Sequence, residues 1–327
     1  MKVLLTGANG FVGSHILDQL LAGGIATAVL LRPGSDRSLI AAHLARLEVR
    51  TGSIGDPPSL DAALRDATHV IHCAGCTKAL HASEFFDANQ AGTRNVVDAV
   101  NRREGGIRRL VHISSLAAAG PAPRERPARE TDPPHPVSAY GRSKLAGERE
   151  VREACRADAV ILRPPAVYGP RDTAFLPLFK AVRGHLLPLF GGGRLALSLV
   201  YVRDLAAAAV ACLDHPAAPG KTFYVASPEV VTSRELAAAI ARQLPAWTVP
   251  LPLPTAALWP LCVLQGAFSR VTRRPAVLSR QKYAELRAPG WVCDPGWLRH
   301  ELGFACATGL AAGVAGTLAG YRGQGWL

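Results

Sequence analysis

The chain opens Met1-Lys-Val-Leu-Leu-Thr-Gly-Ala-Asn-Gly-Phe-Val-Gly13, an apolar run that breaks into glycines at positions 7, 10 and 13. Lys2 to Thr6 alternates too little for a half-exposed strand and reads as one covered on both faces. Val12, Ile16, Leu17, Leu20 and Leu21 then recur at helical spacing. The stretch is therefore strand, turn and helix. In such a turn Gly7 permits the bend, Gly10 admits a pyrophosphate to the backbone, and Gly13 lets helix and strand pack closely. The N–H groups at the helix start face the anion, with Asn9, Phe11 and Val12 in the same turn. Taken alone, three glycines also fit a purely structural connection.

Outward from this unit, strands and helices keep alternating. Strands are expected at Ile25–Leu31, Leu47–Arg50, Val70–Ala74, Ile107–Ile113 and Ala159–Leu162. A helix lies between the second and third strands, a long one within Ser83–Arg103 carries Val96, Val97 and Val100 on one face, and another covers Tyr140–Cys155. Such alternation builds right-handed βαβ units, hence an α/β fold with a doubly wound parallel sheet. From Pro170 the texture changes to prolines, a Gly191-Gly-Gly193 turn and short apolar segments. The reading divides the chain into a dinucleotide-binding domain at 1–170, to which 199–227 returns, and a smaller substrate-binding region at 171–198 and 228–327. In the returning part, Leu199–Ala211 is a strand and helix and Thr222–Val225 a short strand.

The totals narrow the classes. With 327 residues, 49% hydrophobic and 19% charged, the chain buries a full core rather than staying disordered. The net charge of +12 comes mostly from scattered arginines, with no basic tract interleaved with aromatics, so a nucleic-acid partner is not indicated. Seven cysteines, an odd number, and an opening without a signal peptide point to a reduced, cytoplasmic protein. Cys73-Ala-Gly-Cys76 lacks the second pair that would make a metal site and reads as small residues at a strand end; no metal is expected.

Ser114-Ser115 follow the fifth strand, and Tyr140-Gly-Arg-Ser-Lys144 opens a helix. Tyr140 and Lys144, four apart, share a helix face, where an ammonium lowers the pKa of a phenol and a serine hydroxyl binds the same substrate oxygen. The set is a proton-transfer device.

At this point the chain resembles the extended short-chain dehydrogenase/reductases of the NAD-dependent epimerase/dehydratase family, a Rossmann-type fold. The resemblance spans Met1 to about Leu213. It rests on Thr6-Gly7-x-x-Gly10-x-x-Gly13, His72-Cys-Ala-Gly75, Asn89-Gln-Ala-Gly-Thr93, Ser114-Ser115, Tyr140-x-x-x-Lys144, Leu162-Arg-Pro164 with Val167-Tyr-Gly-Pro170, and Val202-x-Asp204-Leu205. It implies that Tyr140 is the catalytic acid/base, that Lys144 lowers its pKa and holds the nicotinamide ribose, and that Ser115 orients the substrate oxygen, Ser114 being structural. It further implies cofactor contacts from Cys73, Ala74 and Gly75, support of the site by Asn89, and Pro164 and Val167 at the nicotinamide end. Members often form homodimers through helices flanking the sheet.

Departures from the family pattern refine the expectation. The second strand ends Val29-Leu-Leu-Arg32, without the acidic residue that binds the adenosine ribose, and a guanidinium grips a 2′-phosphate, so NADP is favoured over NAD. After the third strand Gly52-Ser53-Ile54 replaces an aspartate at the adenine, leaving Ser53 and Ile54 as weak contacts. Leu116-Ala-Ala-Ala119 carries nothing ionisable, which argues against dehydration. Leu197 stands where nucleotide-sugar epimerases place a diphosphate-gripping arginine, and Leu195 and Leu199 extend an apolar wall. Thr255–Phe268 is a nearly uncharged stretch followed by Arg270, Arg273, Arg274 and Arg280; it is read as a core or pocket-lining helix, or as an interfacial helix touching a membrane. The expected activity is hydride transfer between the cofactor and a bulky apolar alcohol or ketone, steroid-, flavonoid- or isoprenoid-like. The alternatives are a sugar or nucleotide-sugar epimerase with tightly bound NAD, and a cofactor-binding protein without turnover.

Overall fold

Strand β1 (Lys2–Thr6) is sealed on both faces, Val3 and Leu5 in one core cluster and Leu4 in a second. This explains its continuous apolar character. The computed structural model describes residues 1–103, 106–244, 247–253, 259, 260, 262, 265 and 280–327. β1 is the middle strand of a seven-stranded, all-parallel sheet. In spatial order the strands are β3 (Glu48–Thr51), β2 (Ala26–Leu31), β1, β4 (His69–His72), β5 (Arg109–Ile113), β6 (Asp158–Arg163) and β10 (Thr222–Tyr224). Chain order reverses between β1 and β4, and it is beyond the C-terminal strand ends at such a reversal that open parallel sheets bind their ligands.

On one face lie α1 (Phe11–Ala22) and α8 (Val202–Ala211), closing over Ile16, Leu17, Leu20, Leu205 and Ala209. On the other lie α2 (Pro57–Ala63), α4 (Gly92–Arg102) and α6 (Ala139–Ala154). Val96, Val97 and Val100 of α4 are buried, as their spacing requires.

The structure corrects several local expectations. β2 starts at Ala26, and β4 stops at His72, leaving Cys73-Ala74-Gly75 in the loop. The connection from β2 to β3 contains a 3₁₀ helix, Ser38–Arg46. The helix α2, which starts on Pro57-Pro58, was not anticipated. The single helix expected within 83–103 is α3 (Ala82–Phe86) and α4 joined by a π-helical turn, Asp87–Ala91.

The C-terminal region is built on β9 (Ala196–Tyr201), which pairs with β7 (Ala166–Tyr168), β11 (Val230–Thr232) and β13 (Gly290–Trp291). β9 therefore does not return to the main sheet, although α8 and β10 do. Its residues alternate between two cores: Val200 enters the main one, while Leu199 and Tyr201 enter a separate cluster with Phe179, Leu236, Ile240 and Tyr321. That cluster is closed by α7 (Leu176–Arg183), α9 (Ser233–Gln243) and the last helix, α12 (Leu310–Gly323); α10 (Arg280–Leu286) and α11 (Gly296–Leu302) precede it. A two-stranded ribbon of β8 (Leu186–Phe190) and β12 (Val249–Leu253) completes the region. Of Thr255–Phe268 only Trp259, Pro260, Cys262 and Gln265 are described, and Arg270, Arg273 and Arg274 lie outside the described residues. Among the described residues, no helix is long and apolar enough to cross a membrane.

Candidate active site

The glycine turn abuts the loop after β4. Gly7 has φ +75°, and a Cβ there would fall 2.6 Å from the Ala74 nitrogen; one on Gly13 would fall 2.0 Å from the Gly7 carbonyl oxygen. Only glycine lets the turn, the helix and the neighbouring strand end meet this closely. Gly10 is the N-cap of α1 and offers no side chain to its first amides, so the N–H groups of Phe11 and Val12 are presented to a ligand. These features fit a dinucleotide pyrophosphate. Asn9 donates its side-chain amide to the carbonyl of Asp36, 2.9 Å away, tying the loop after β2 to the glycine turn.

That loop carries Arg32, exposed at the end of β2, and Arg37 directly after Asp36. Neither side chain has a hydrogen-bond or ion-pair partner among the described residues. Arg37 escaped the sequence reading, although a second arginine five residues after the first was the available signal. The Ser53 hydroxyl oxygen accepts from the amide of Gly55 (3.2 Å), and Ile54 packs against Gly92 while its carbonyl accepts from Asn95. Both are engaged in the turn that leaves β3.

Further along the C-terminal ends of the strands, α6 is started by Ser138, whose hydroxyl accepts from the amide of Gly141 at 3.1 Å. A Cβ on Gly141 would sit 2.3 Å from the carbonyl oxygen of Ala117, so this glycine lets α6 press on the short helix α5 (Leu116–Ala119). The N-cap of α5 is Ser115. The two helix starts thus converge and bring the Ser115 hydroxyl close enough to the Tyr140 phenol to act on its titration. One turn along α6, Lys144 is 6% exposed and donates to the carbonyl of Ile113 at 2.7 Å.

The electrostatics differ from the expected pattern. Burial pushes Tyr140 up to about 12, opposed by the Ser115 hydrogen bond and reinforced by Glu285, Cys73 and Cys76. Lys144 itself is driven down to about 8 by burial. The expectation that Lys144 lowers the Tyr140 pKa is therefore not met in the protein by itself: desolvation outweighs any help from the ammonium, which is committed to Ile113. Glu285, on α10, is a neighbour no sequence spacing reveals. Cys73, beside Lys144, is raised to about 11 by burial and is a protonated thiol.

A buried polar frame holds these parts. Asn89, in the π-helical turn, bridges the N–H and C=O of Cys76 at 2.8 and 2.9 Å and donates to Ser143, whose hydroxyl binds the Tyr140 carbonyl. Thr6 accepts from the amide of Ala74 and donates to Nδ1 of His72, whose Nε2 donates to Thr93; the Thr93 proton goes to the Asn89 carbonyl. This fixes a neutral His72, consistent with its depression by burial to about 3. Thr6, His72 and Thr93 stand in the motifs quoted from the sequence and Ser143 between Tyr140 and Lys144, yet no role is legible there for any of them, because each role depends on a partner far away in the chain. Ser114 turns away and donates to Glu148, which accepts a bidentate pair from Arg163 at 2.8 and 2.7 Å. The Pro164 carbonyl accepts from Leu116, and Val167 packs on the main core. Leu197 sits on β9 opposite Trp291 and Val231. Asp204 accepts from both the amide and hydroxyl of Thr308 at 3.0 Å, anchoring the approach to α12.

Comparison with known proteins bears on the whole arrangement. A ceramide reductase of Caulobacter vibrioides is 33% identical over 328 residues, covering 99% of this chain and 96% of its own. A UDP-glucose 4-epimerase of Vibrio cholerae is 29% identical over 269 residues, covering 77% and 79% respectively. The crystal structure of the Thermus thermophilus UDP-glucose 4-epimerase in complex with NAD superposes with a TM-score of 0.76 at 26% identity, over 99% of both chains. The model of the NAD dependent epimerase/dehydratase family matches residues 3–226, which span the glycine turn, Ser115, Tyr140 and Lys144. With that match and a relative 33% identical along its whole length, the chain belongs to the NAD-dependent epimerase/dehydratase family.

Proposed function

We propose that this protein is an NAD(P)-dependent reductase of a carbonyl on a bulky, long-chain lipid of the ceramide type. The observation that carries the redox reading is the convergence of Ser115 and Tyr140, at the starts of the two abutting helices α5 and α6, with Lys144 one turn further on. In reduction, a carbonyl oxygen takes hydrogen bonds from both hydroxyls, and Tyr140, protonated well above neutral pH, hands it a proton. Ser115 is preset for this because its oxygen already accepts from the amide of Ala117 at 3.1 Å, leaving its proton to point at the substrate. Lys144 places a positive charge beside Gly75 and Cys73, where it would hold the ribose of a bound nicotinamide nucleotide. The bound dinucleotide supplies the hydride.

The substrate class is supported by the ceramide reductase relative, whose likeness runs through the C-terminal region as well as the first domain. Leu197, partly buried where a diphosphate-gripping arginine is expected of a nucleotide-sugar epimerase, favours the same class over a nucleotide sugar, whereas Leu199 is sealed in the C-terminal core. Arg32 and Arg37, both without side-chain partners among the described residues, favour a cofactor with a 2′-phosphate. The epimerase reading draws on the UDP-glucose 4-epimerase likeness.

The test is to follow reduced-nicotinamide absorbance with an N-acylated long-chain amino ketone in detergent, and in parallel to assay UDP-glucose interconversion. Consumption of NADPH with the lipid ketone is the expected result. Sugar interconversion without net cofactor turnover overturns it in favour of an epimerase.

A further inference from the structure

We propose that the ribbon of β8 and β12 is a docking surface for an anionic phospholipid bilayer. Eight large apolar side chains stand exposed among the described residues, and four of them lie on or beside this one ribbon: Trp247 at 71%, Val249, Leu186 and Leu251. Ribbon residues that face inward, Leu187 and Leu189, are buried in the C-terminal core, so the strands are anchored from below while their outer face is apolar. The entrance to the ribbon is fixed by a stack of His185 on Trp247, ring centroids 4.3 Å apart, with His185 Nδ1 2.8 Å from the Trp247 carbonyl. A rigidly held, exposed tryptophan is suited to the boundary between headgroups and acyl chains.

The backbone favours lipid over a second protein strand. Val249 donates its N–H to His185, so alternate positions of β12 face β8, and the edge that has no strand partner among the described residues falls to Pro250 and Pro252. Proline has no N–H, so this edge cannot template strand addition and carries no donor to be stranded in an apolar medium.

Charge selects the kind of membrane. Residues 173–203 and 236–284 contain no aspartate or glutamate, yet carry ten of the chain's lysines and arginines against a net charge of +12. The described members nearest the ribbon, Lys180 and Arg183 in the last turn of α7 and Arg242 in that of α9, lie where the chain runs on into β8 and β12. Each basic residue near an anionic surface strengthens binding about fivefold. Trp259, a further exposed apolar side chain at 43%, meets Tyr283 with ring centroids 5.0 Å apart and planes tilted by 57°, and Tyr283 lies on α10 with Glu285, the carboxylate that acts on Tyr140.

The test is sedimentation of the full chain with vesicles of phosphatidylcholine alone or mixed with an equal part of phosphatidylglycerol. Binding is expected to the mixed vesicles only, and to weaken at high salt. Trp247→Ser with Leu251→Ser, and separately Arg183→Glu with Arg242→Glu, are each expected to weaken it at least tenfold while retaining the circular dichroism of the parent. Equal binding to both vesicles, no binding to either, or variants that bind as the parent does would overturn the proposal. So would a parent dimer that the Trp247 variant converts to monomer with vesicle binding unchanged, which assigns the ribbon to self-association. Vesicle binding is read without turnover, so a protein that binds but reduces no ketone refutes the proposed activity and leaves this surface standing.

Discussion

Lys144 donates to the carbonyl oxygen of Ile113 at 2.7 Å, so its ammonium is fixed to the end of β5 and does not swing freely beneath Tyr140. Its pKa falls from 10.5 to about 8 because the charged form is stripped of water. Folded protein therefore releases this proton near pH 8 and unfolded chain near 10.5. Between those values the folded state holds fewer protons, and the stability attributable to the group rises with pH. Below pH 8 the full cost of the buried charge is present, roughly 3 kcal/mol before the Ile113 hydrogen bond offsets part of it. Lys144→Met is expected to lower activity at least a hundredfold. Its Tm relative to the parent is highest below pH 8 and declines toward pH 10.5; thermal scans across this range that show a constant difference would contradict the assignment.

Tyr140 is shifted up to about 12, so in the free protein its proton is in place throughout the neutral range. Ketone reduction needs that protonated form and is expected to show no loss attributable to Tyr140 up to about pH 10. Alcohol oxidation needs the phenolate and should accelerate steadily as pH rises. Tyr140→Phe is expected to cut kcat by about 10²–10⁴-fold in both directions with the cofactor Kd unchanged. Steady-state rates combined with cofactor titration by fluorescence check this, and a variant with near-parental kcat would remove Tyr140 from the chemistry.

Arg32, at the end of β2, has a guanidinium without a partner among the described residues, and Asn9 pins the adjoining loop to the glycine turn. Arg32→Asp is expected to raise the KM for NADPH about 10–100-fold and to leave that for NADH level or lower, because the new carboxylate repels a 2′-phosphate and accepts from a 2′-hydroxyl. Paired KM measurements decide it; equal changes for both cofactors would place the 2′-phosphate elsewhere.

A Cβ on Gly313 would fall 2.1 Å from the Tyr168 hydroxyl, so α12 reaches its seat on the C-terminal core through that glycine. Gly313→Ala is expected to cost about 1–3 kcal/mol and to lower Tm by several degrees. Gly323→Ala, on the same helix with nothing within 4 Å of the added carbon, is the control and should leave Tm level or slightly higher. Equal effects at the two positions would show that the close approach is unimportant.

The legible parts of the site were those written in local pattern. The strand-turn-helix at the start, the alternation that makes the sheet, the buried valines of α4 and the Tyr140–Lys144 spacing each depend on residues within a few turns of one another. The π-helical turn that aims Asn89 at Cys76 was not legible, because an extra residue in a helical turn is stabilised by partners elsewhere, here Cys76 and Ser143. Nor was the placement of β9, whose alternating pattern suits either sheet and is settled by what covers Leu199 and Tyr201.

By itself, then, the sequence determined the element types of the first domain and the identity of the reactive groups, since hydrophobic period and side-chain chemistry are local properties. Only the tertiary structure decided their state. Tyr140 is raised by burial rather than lowered by Lys144, Lys144 is tied to Ile113, and Glu285 joins the site from α10. Desolvation and long-range charge depend on every element packed around a group, and no spacing along the chain encodes them.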